Sequence, residues 1–329
     1  MRQVWIRRSR ALGVGVLGFL CAFFCSPAAD AAEPGTAGFL SLRLGTGARF
    51  SGMGDVGVSL ARDASAAYWN PAGMTSVERT SFTLQHNEWI QSVRAETAAL
   101  AHATNLGVFG IWFSGLYMDE IERTTIASST PEGTFNVYEI AVQGAWGHTL
   151  GTVERLGGID LGLAIKGLYS ALDSETASGW AGDIGLRLRT RIDGLTFAAA
   201  AQHLGPEMTF IQDSFQLPVT LRVGGDYQRS FAKYRTGFVL AYDLEVVNDD
   251  GLRNHFGLEL TYHELLSIRG GLKIGFDSQG AELGRIDGER VGGTFGVGVR
   301  KGGYSFDYAY TPVDNDLGDA HRFSLTINL

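Results

Sequence analysis

Residues 158–169 read GIDLGLAIKGLY. Ile159, Leu161, Leu163, Ile165 and Tyr169 fall on one side of an extended chain, with Asp160, Gly162, Ala164 and Lys166 on the other. Successive side chains of a strand point to opposite faces, so a period of two over this length predicts a β-strand. The pattern recurs in PVTLRVGGDY (218–227), HFGLELTY (255–262), VGGTFGVGVR (291–300) and YSFDYAYT (304–311).

A soluble sandwich also alternates, but three features count against it. The runs are about ten or more residues long, near the 9–11 of a tilted membrane strand and above the ordinary mean of five or six. The less apolar face carries Lys166, Arg187, Arg189, Arg222, Asp226 and Glu259, charges that a dry core accepts only when paired and that a wet lumen accepts readily. Tyr169, Trp180, Tyr227, Tyr242, Tyr262 and Tyr310 gather toward run ends, where membrane barrels keep aromatic girdles.

The runs predict strands at 80–88, 94–103, 107–118, 134–148, 158–169, 180–190, 195–203, 217–228, 234–245, 254–263, 266–276, 290–300, 303–311 and 320–329. About fourteen strands, an even number, fit an all-β transmembrane antiparallel barrel. Connections at 104–106, 192–194, 264–265 and 301–302 are short, while DEIERTTIASSTPEGT, ALDSETASG, LGPEMTFIQDSFQ, VVNDDGLRN, DSQGAELGRIDGE and PVDNDLGDA are longer. The short connection near Asn87 to Val93 and the longer stretch Leu150 to Gly157 are exceptions; otherwise the beat places the short turns and both chain ends on the periplasmic side. RFSLTINL (322–329) supplies a closing strand that ends at the carboxyl terminus.

Composition agrees. Forty-five glycines in 329 residues suit sheets that bend and close better than helices, which lose about 1 kcal/mol per glycine. Residues 1–32 read as a signal peptide: Arg2, Arg7, Arg8 and Arg10, then an apolar run of about fifteen residues, then small residues at 28–32. Cys21 and Cys25 are the only cysteines, so cleavage leaves no disulfide or thiolate chemistry. Of 27 basic and 35 acidic residues, cleavage removes four and one, leaving 23 against 34; nucleic-acid binding is not expected.

The three organising segments are therefore 1–32, 33–79 and 80–329. The middle one, rich in glycine and alanine and ending in DASAAYWNPAGM (63–74), lacks alternation and is long enough to fold back into a lumen. A short helix is expected near Asp63 to Tyr68, stopped by Pro71 and Gly73. Asn70 and Pro71 read most simply as a turn, with Asn70 able to hydrogen-bond backbone inside the lumen and Trp69 packing there.

GARFSGMGDV (47–56), Asp63 and Ala64, and Trp69 to Gly73 resemble the amino-terminal hatch of FadL-superfamily outer-membrane barrels, most closely the PorV/PorQ branch. The resemblance implies a fourteen-stranded barrel plugged by a hatch that uses Gly52, Met53, Gly54, Asp55, Asp63, Trp69, Asn70, Pro71, Ala72 and Gly73. It implies either passive uptake of hydrophobic small molecules, released sideways at a kinked third strand, or an outer-membrane shuttle role in type IX secretion. Outer-membrane lipid is an expected partner in both.

The third strand, GVFGIWFSGLYM (107–118), is apolar on both faces. Phe109, Ile111, Phe113 and Tyr117 are expected to face inward, where they either pack against the hatch or line a ligand path; in the second case Gly107, Gly110 and Gly115 permit the kink. GVGVLG (13–18) and GMGDVG (52–57) match a dinucleotide-binding glycine pattern, but neither sits in a strand-helix-strand unit. The seven histidines are scattered without a G-x-S-x-G or H-E-x-x-H context. No catalysis, cofactor or metal site is expected.

Overall fold

The structure is a computed structural model that describes residues 37–89, 93–124, 130–211, 213–276, 285–286, 289–290, 292–312 and 319–329. The expected signal peptide lies outside the described residues. In chain order the strands are β1 (Thr80–Glu88), β2 (Arg94–Thr104), β3 (Gly107–Arg123), β4 (Gly133–Val153), β5 (Gly157–Leu172), β6 (Glu175–Thr190), β7 (Leu195–Leu204), β8 (Met208–Phe210), β9 (Asp213–Phe215), β10 (Thr220–Phe231), β11 (Thr236–Val247), β12 (Asp250–Tyr262), β13 (Leu266–Phe276), β14 (Arg285–Ile286), β15 (Glu289–Arg290), β16 (Gly293–Lys301), β17 (Tyr304–Thr311) and β18 (Ala320–Asn328). Fourteen of them close into one antiparallel barrel; β8 and β9, and β14 and β15, form separate two-stranded ribbons. Closure runs from Ser81↔Asn328 to Glu88↔His321 between the first and last strands, which leaves no sheet edge unpaired in the barrel.

The expected beat of connections holds in part. ALDSETASG and VVNDDGLRN were expected as long loops, yet β5 and β6 leave only residues 173–174 between them, and β11 and β12 only 248–249. The polar residues of both stretches continue the ladder, as in Leu172↔Glu175. β3 to β6 reach 16 to 21 residues, well past the roughly 9–11 that cross a bilayer. At the opposite end, 105–106, 154–156, 191–194, 232–235, 263–265 and 302–303 make the short-turn end.

Side chains alternate around the wall. Leu163, Ile165 and Tyr169 are exposed while Asp160, Lys166 and Ser170 are buried. Arg222, Asp226, Glu259 and Arg269 are likewise buried, and Leu240, Phe256, Leu258, Phe295 and Phe306 stand exposed on the outside. An outer surface this apolar is the face a bilayer covers.

β3 requires a correction. Phe109, Ile111 and Phe113 are 47%, 57% and 38% exposed and face outward, and Tyr117 shares their parity, with the Arg94 guanidinium over its ring at 5.2 Å. Val108, Trp112 and Leu116 are buried inside. With both faces apolar, local pattern carries no information about orientation. The decision comes from the neighbours: a Cβ at Gly110 would meet Met74 Sδ at 2.5 Å, and the buried Trp112 indole N–H needs an acceptor, which it finds in Thr46 Oγ1 at 2.9 Å. The expected opening at Gly107, Gly110 and Gly115 is also absent. β3 pairs without interruption from Gly107 to Tyr117 with β2 and from Val108 to Met118 with β4.

Candidate functional site in the barrel lumen

Residues 37–77 are largely buried and pack against side chains on the inner face of the barrel wall. The segment enters at the end opposite the short turns, where the Ala37 amide donates to Asp249 Oδ2 at 2.8 Å and the Leu40 and Ser41 amides donate to the Glu139 carboxylate at 3.1 and 2.7 Å. It leaves at the short-turn end and continues into β1 at Thr80. Between, it forms only short helical turns, at Leu40–Leu42, Ala48–Ser51, Ala66–Trp69 and Pro71–Ser76. The helix read near Asp63 to Tyr68 is thus one turn, held at its start by the Ser65 amide donating to Asp63 Oδ1 at 2.9 Å.

A segment with so little regular structure leaves many backbone groups to be satisfied by other means, and the polar inner wall does so. Asn70 Nδ2 donates to the carbonyls of Val58 at 3.0 Å and Leu186 of β6 at 3.1 Å, and its Oδ1 accepts from the Ala72 amide at 3.0 Å. Gln143 donates to the Ala67 carbonyl and Gln202 to that of Tyr68, both at 2.5 Å. The Gly57 and Val58 amides donate to Asp243 Oδ2 at 2.7 and 3.0 Å.

Fixed charges add a second layer. Arg49 pairs with Glu259 through two 2.8 Å contacts, and Arg62 pairs with Asp226 at 2.8 Å. Asp55 Oδ2 lies 2.6 Å from Lys273 Nζ and its Oδ1 3.5 Å from Arg322 Nη1. Burial alone would raise the Asp55 pKa, but these two cations outweigh it and hold the carboxyl well below its usual range. Trp69, fully buried, donates its indole N–H to the Thr46 carbonyl at 2.7 Å and lies under the Arg222 guanidinium at 4.9 Å from the ring centroid.

Close approach explains the glycines. A Cβ at Gly52 would come within 2.8 Å of Gly296 Cα, and one at Gly271 within 2.0 Å of the Gly54 nitrogen. Gly54, at φ +77, and Met53 therefore rest backbone-to-backbone on the wall. Pro71 and Ala72 press on Gly147 and Gly162 in the same way, and a Cβ at Gly73 would meet the Ala61 carbonyl at 2.3 Å. Gly52 to Asp55, Asp63 and Trp69 to Gly73 thus all share the lumen. Sequence reading singled these out but missed their wall partners Gln143, Gln202, Asp243, Lys273 and Arg322, and also Thr46, which accepts from both indoles. The available signal was that each wall partner sits at an inward position of its strand.

Two features flank the packed middle. At the end where the chain enters, Leu44, Trp89, Val93, Ala95, Leu116 and Ala320 form an apolar cluster. At the short-turn end a vestibule of about 570 Å³ opens among β10 to β13 and β16, with Arg49, Glu259 and Arg300 in its lining. Among the described residues no group of three or more His, Cys, Asp or Glu side chains is arranged to hold a metal ion.

The family model of the uncharacterised protein family UPF0164 matches residues 25–192, just over half of the chain, and the chain belongs to that family. No curated protein matches it in sequence. Among solved structures it is similar to the toluene transporter TodX of Pseudomonas putida, with 12% identity and a TM-score of 0.59 over 86% of this chain and 97% of that one. It is also similar to the deltaS2S3 mutant of TodX, a monoaromatic hydrocarbon channel, with 13% identity and a TM-score of 0.58 over 87% and 99%. At such identity the likeness is one of fold.

Proposed function

We propose that this UPF0164 chain is an outer-membrane barrel of the PorV/PorQ and FadL type that passively admits hydrophobic small molecules, with residues 33–79 acting as its hatch and 80–329 as its barrel. The observation that carries the reading is the largely buried segment 37–77, packed against the inward side chains of a closed fourteen-stranded barrel. A packed lumen admits nothing until that segment shifts, which makes it the gate. The fold shared with the toluene transporter TodX and with a monoaromatic hydrocarbon channel variant of it supports the substrate class. Cells carrying the protein in their outer membrane are expected to take up radiolabelled toluene faster than cells with an empty vector. Equal uptake would overturn the transport reading.

A second reading is a type IX secretion-associated shuttle that binds secreted cargo. It is favoured by β3 to β6, whose 16 to 21 residues extend beyond the bilayer and offer a wall to another protein. Recovery of a secretion channel or its cargo on purification, with no toluene uptake, would select it.

A further inference from the structure

The outer wall carries a groove of about 690 Å³. It follows two outward rows of cross-strand neighbours. One runs Phe197, Gly225, Tyr242, Phe256; the next ends Leu258, Gly270, Phe295. In each row a glycine stands where its neighbours carry large apolar side chains. A Cβ at Gly270 would meet nothing within 4 Å, so the position opens outward, and the lining is apolar and aromatic.

From β7 to β16 the groove crosses six strands in five steps, which at ~4.8 Å each is about 24 Å. Barrel strands tilt about 45°, so the rows span about 17 Å of depth, close to one leaflet of a ~30 Å hydrocarbon core. Unfilled, such a groove would forfeit dispersion contacts along its length. A basic cluster stands at its short-turn end. Arg229 lies two residues beyond Tyr227 on β10, about 7 Å at ~3.3 Å per residue, and Lys233 and Arg235 follow in the β10–β11 turn; all three are exposed, with Asp193 and Glu264 on the flanking turns.

We propose that this groove is a binding site for one acyl chain of a phospholipid in the leaflet at the short-turn end, with the lipid phosphate against Arg229, Lys233 and Arg235. The site is on the outside of the wall and stands independently of what passes through the lumen.

The test is native mass spectrometry of the full chain after extraction from phosphatidylglycerol vesicles in mild detergent. The wild type is expected to retain one phospholipid. Gly270→Phe, which fills the groove, is expected to retain at least tenfold less, and so is the triple variant R229E/K233E/R235E. Gly167→Phe adds the same ring at another outward position with open space around it and is expected to retain lipid as the wild type does; far-UV circular dichroism reports folding of each. Equal retention by Gly270→Phe and the wild type, no lipid on the wild type, or a two-chain mass without lipid would each overturn the proposal.

Discussion

Asp55 and Lys273 form an ion pair across the lumen, with Oδ2 2.6 Å from Nζ. It joins the turn of the GMGD stretch to the middle of β13, where Lys273 is buried. Asp55 itself adopts φ +59, a left-handed conformation that Asp tolerates better than most residues. The pair thus holds in place a turn whose backbone already touches the wall.

Asp55→Asn leaves Lys273 and Arg322 buried without that carboxylate. Removing one partner of a buried pair costs about 3–5 kcal/mol, so the denaturant midpoint of the folded barrel is expected to fall by that equivalent. Acid should report the same group. A carboxyl whose folded pKa is depressed contributes stability above its unfolded value, ~3.9, and loses it as pH falls below that toward the folded value. Thermal midpoints of the wild type should drop between pH 5 and pH 2 more than those of Asp55→Asn, and parallel curves would refute the assignment.

Asn70 donates to two carbonyls and accepts from one amide in a buried place. Asn70→Ala strands these groups and is expected to cost about 2 kcal/mol. Asn70→Asp should be worse, at roughly 3 kcal/mol or more, because it turns a second acceptor toward the Val58 and Leu186 carbonyls. Hydrogen exchange at the Ala72 amide gives a local reading: Asn70→Ala removes the Oδ1 that accepts from it, so exchange there is expected to be faster than in the wild type, and unchanged exchange would contradict this geometry.

Gly270 and Gly271 are adjacent and face opposite ways. Gly271→Ala would place its Cβ 2.0 Å from the Gly54 nitrogen and 2.3 Å from the Met53 carbonyl carbon, atoms that cannot move aside as a side chain would. Overpacking of this kind typically costs about 1–3 kcal/mol. Gly270→Ala meets nothing and is expected to leave the thermal midpoint unchanged. A pair of equal midpoints would mean that the segment does not rest on β13.

Outward placement of Ile111 is open to a direct check. Ile111→Arg puts a charge on the bilayer face and should destabilise the barrel by about 2–4 kcal/mol near the midplane, less toward an interface, measured by denaturant unfolding in vesicles. No effect would return Ile111 to the lumen.

Strand pattern was legible wherever one face was apolar and the other polar. In β5, Leu163 and Ile165 against Asp160 and Lys166 announce both the strand and its inner side, because a charge inside and a hydrocarbon surface outside are local consequences of burial. The GMGD and WNPAG stretches were also legible as a compact segment, since glycine and proline restrict or free the backbone on their own. The orientation of β3 was not legible: Phe113 and Trp112 are equally apolar, and only Thr46 and Met74, brought close by folding, select the inner one. Nor were the Asp55–Lys273 pair and the Gly54–Gly271 contact, which join residues more than two hundred positions apart. Alternation is carried by neighbouring residues and so is written along the chain, whereas register and contact across a closed barrel depend on where all fourteen strands come to lie.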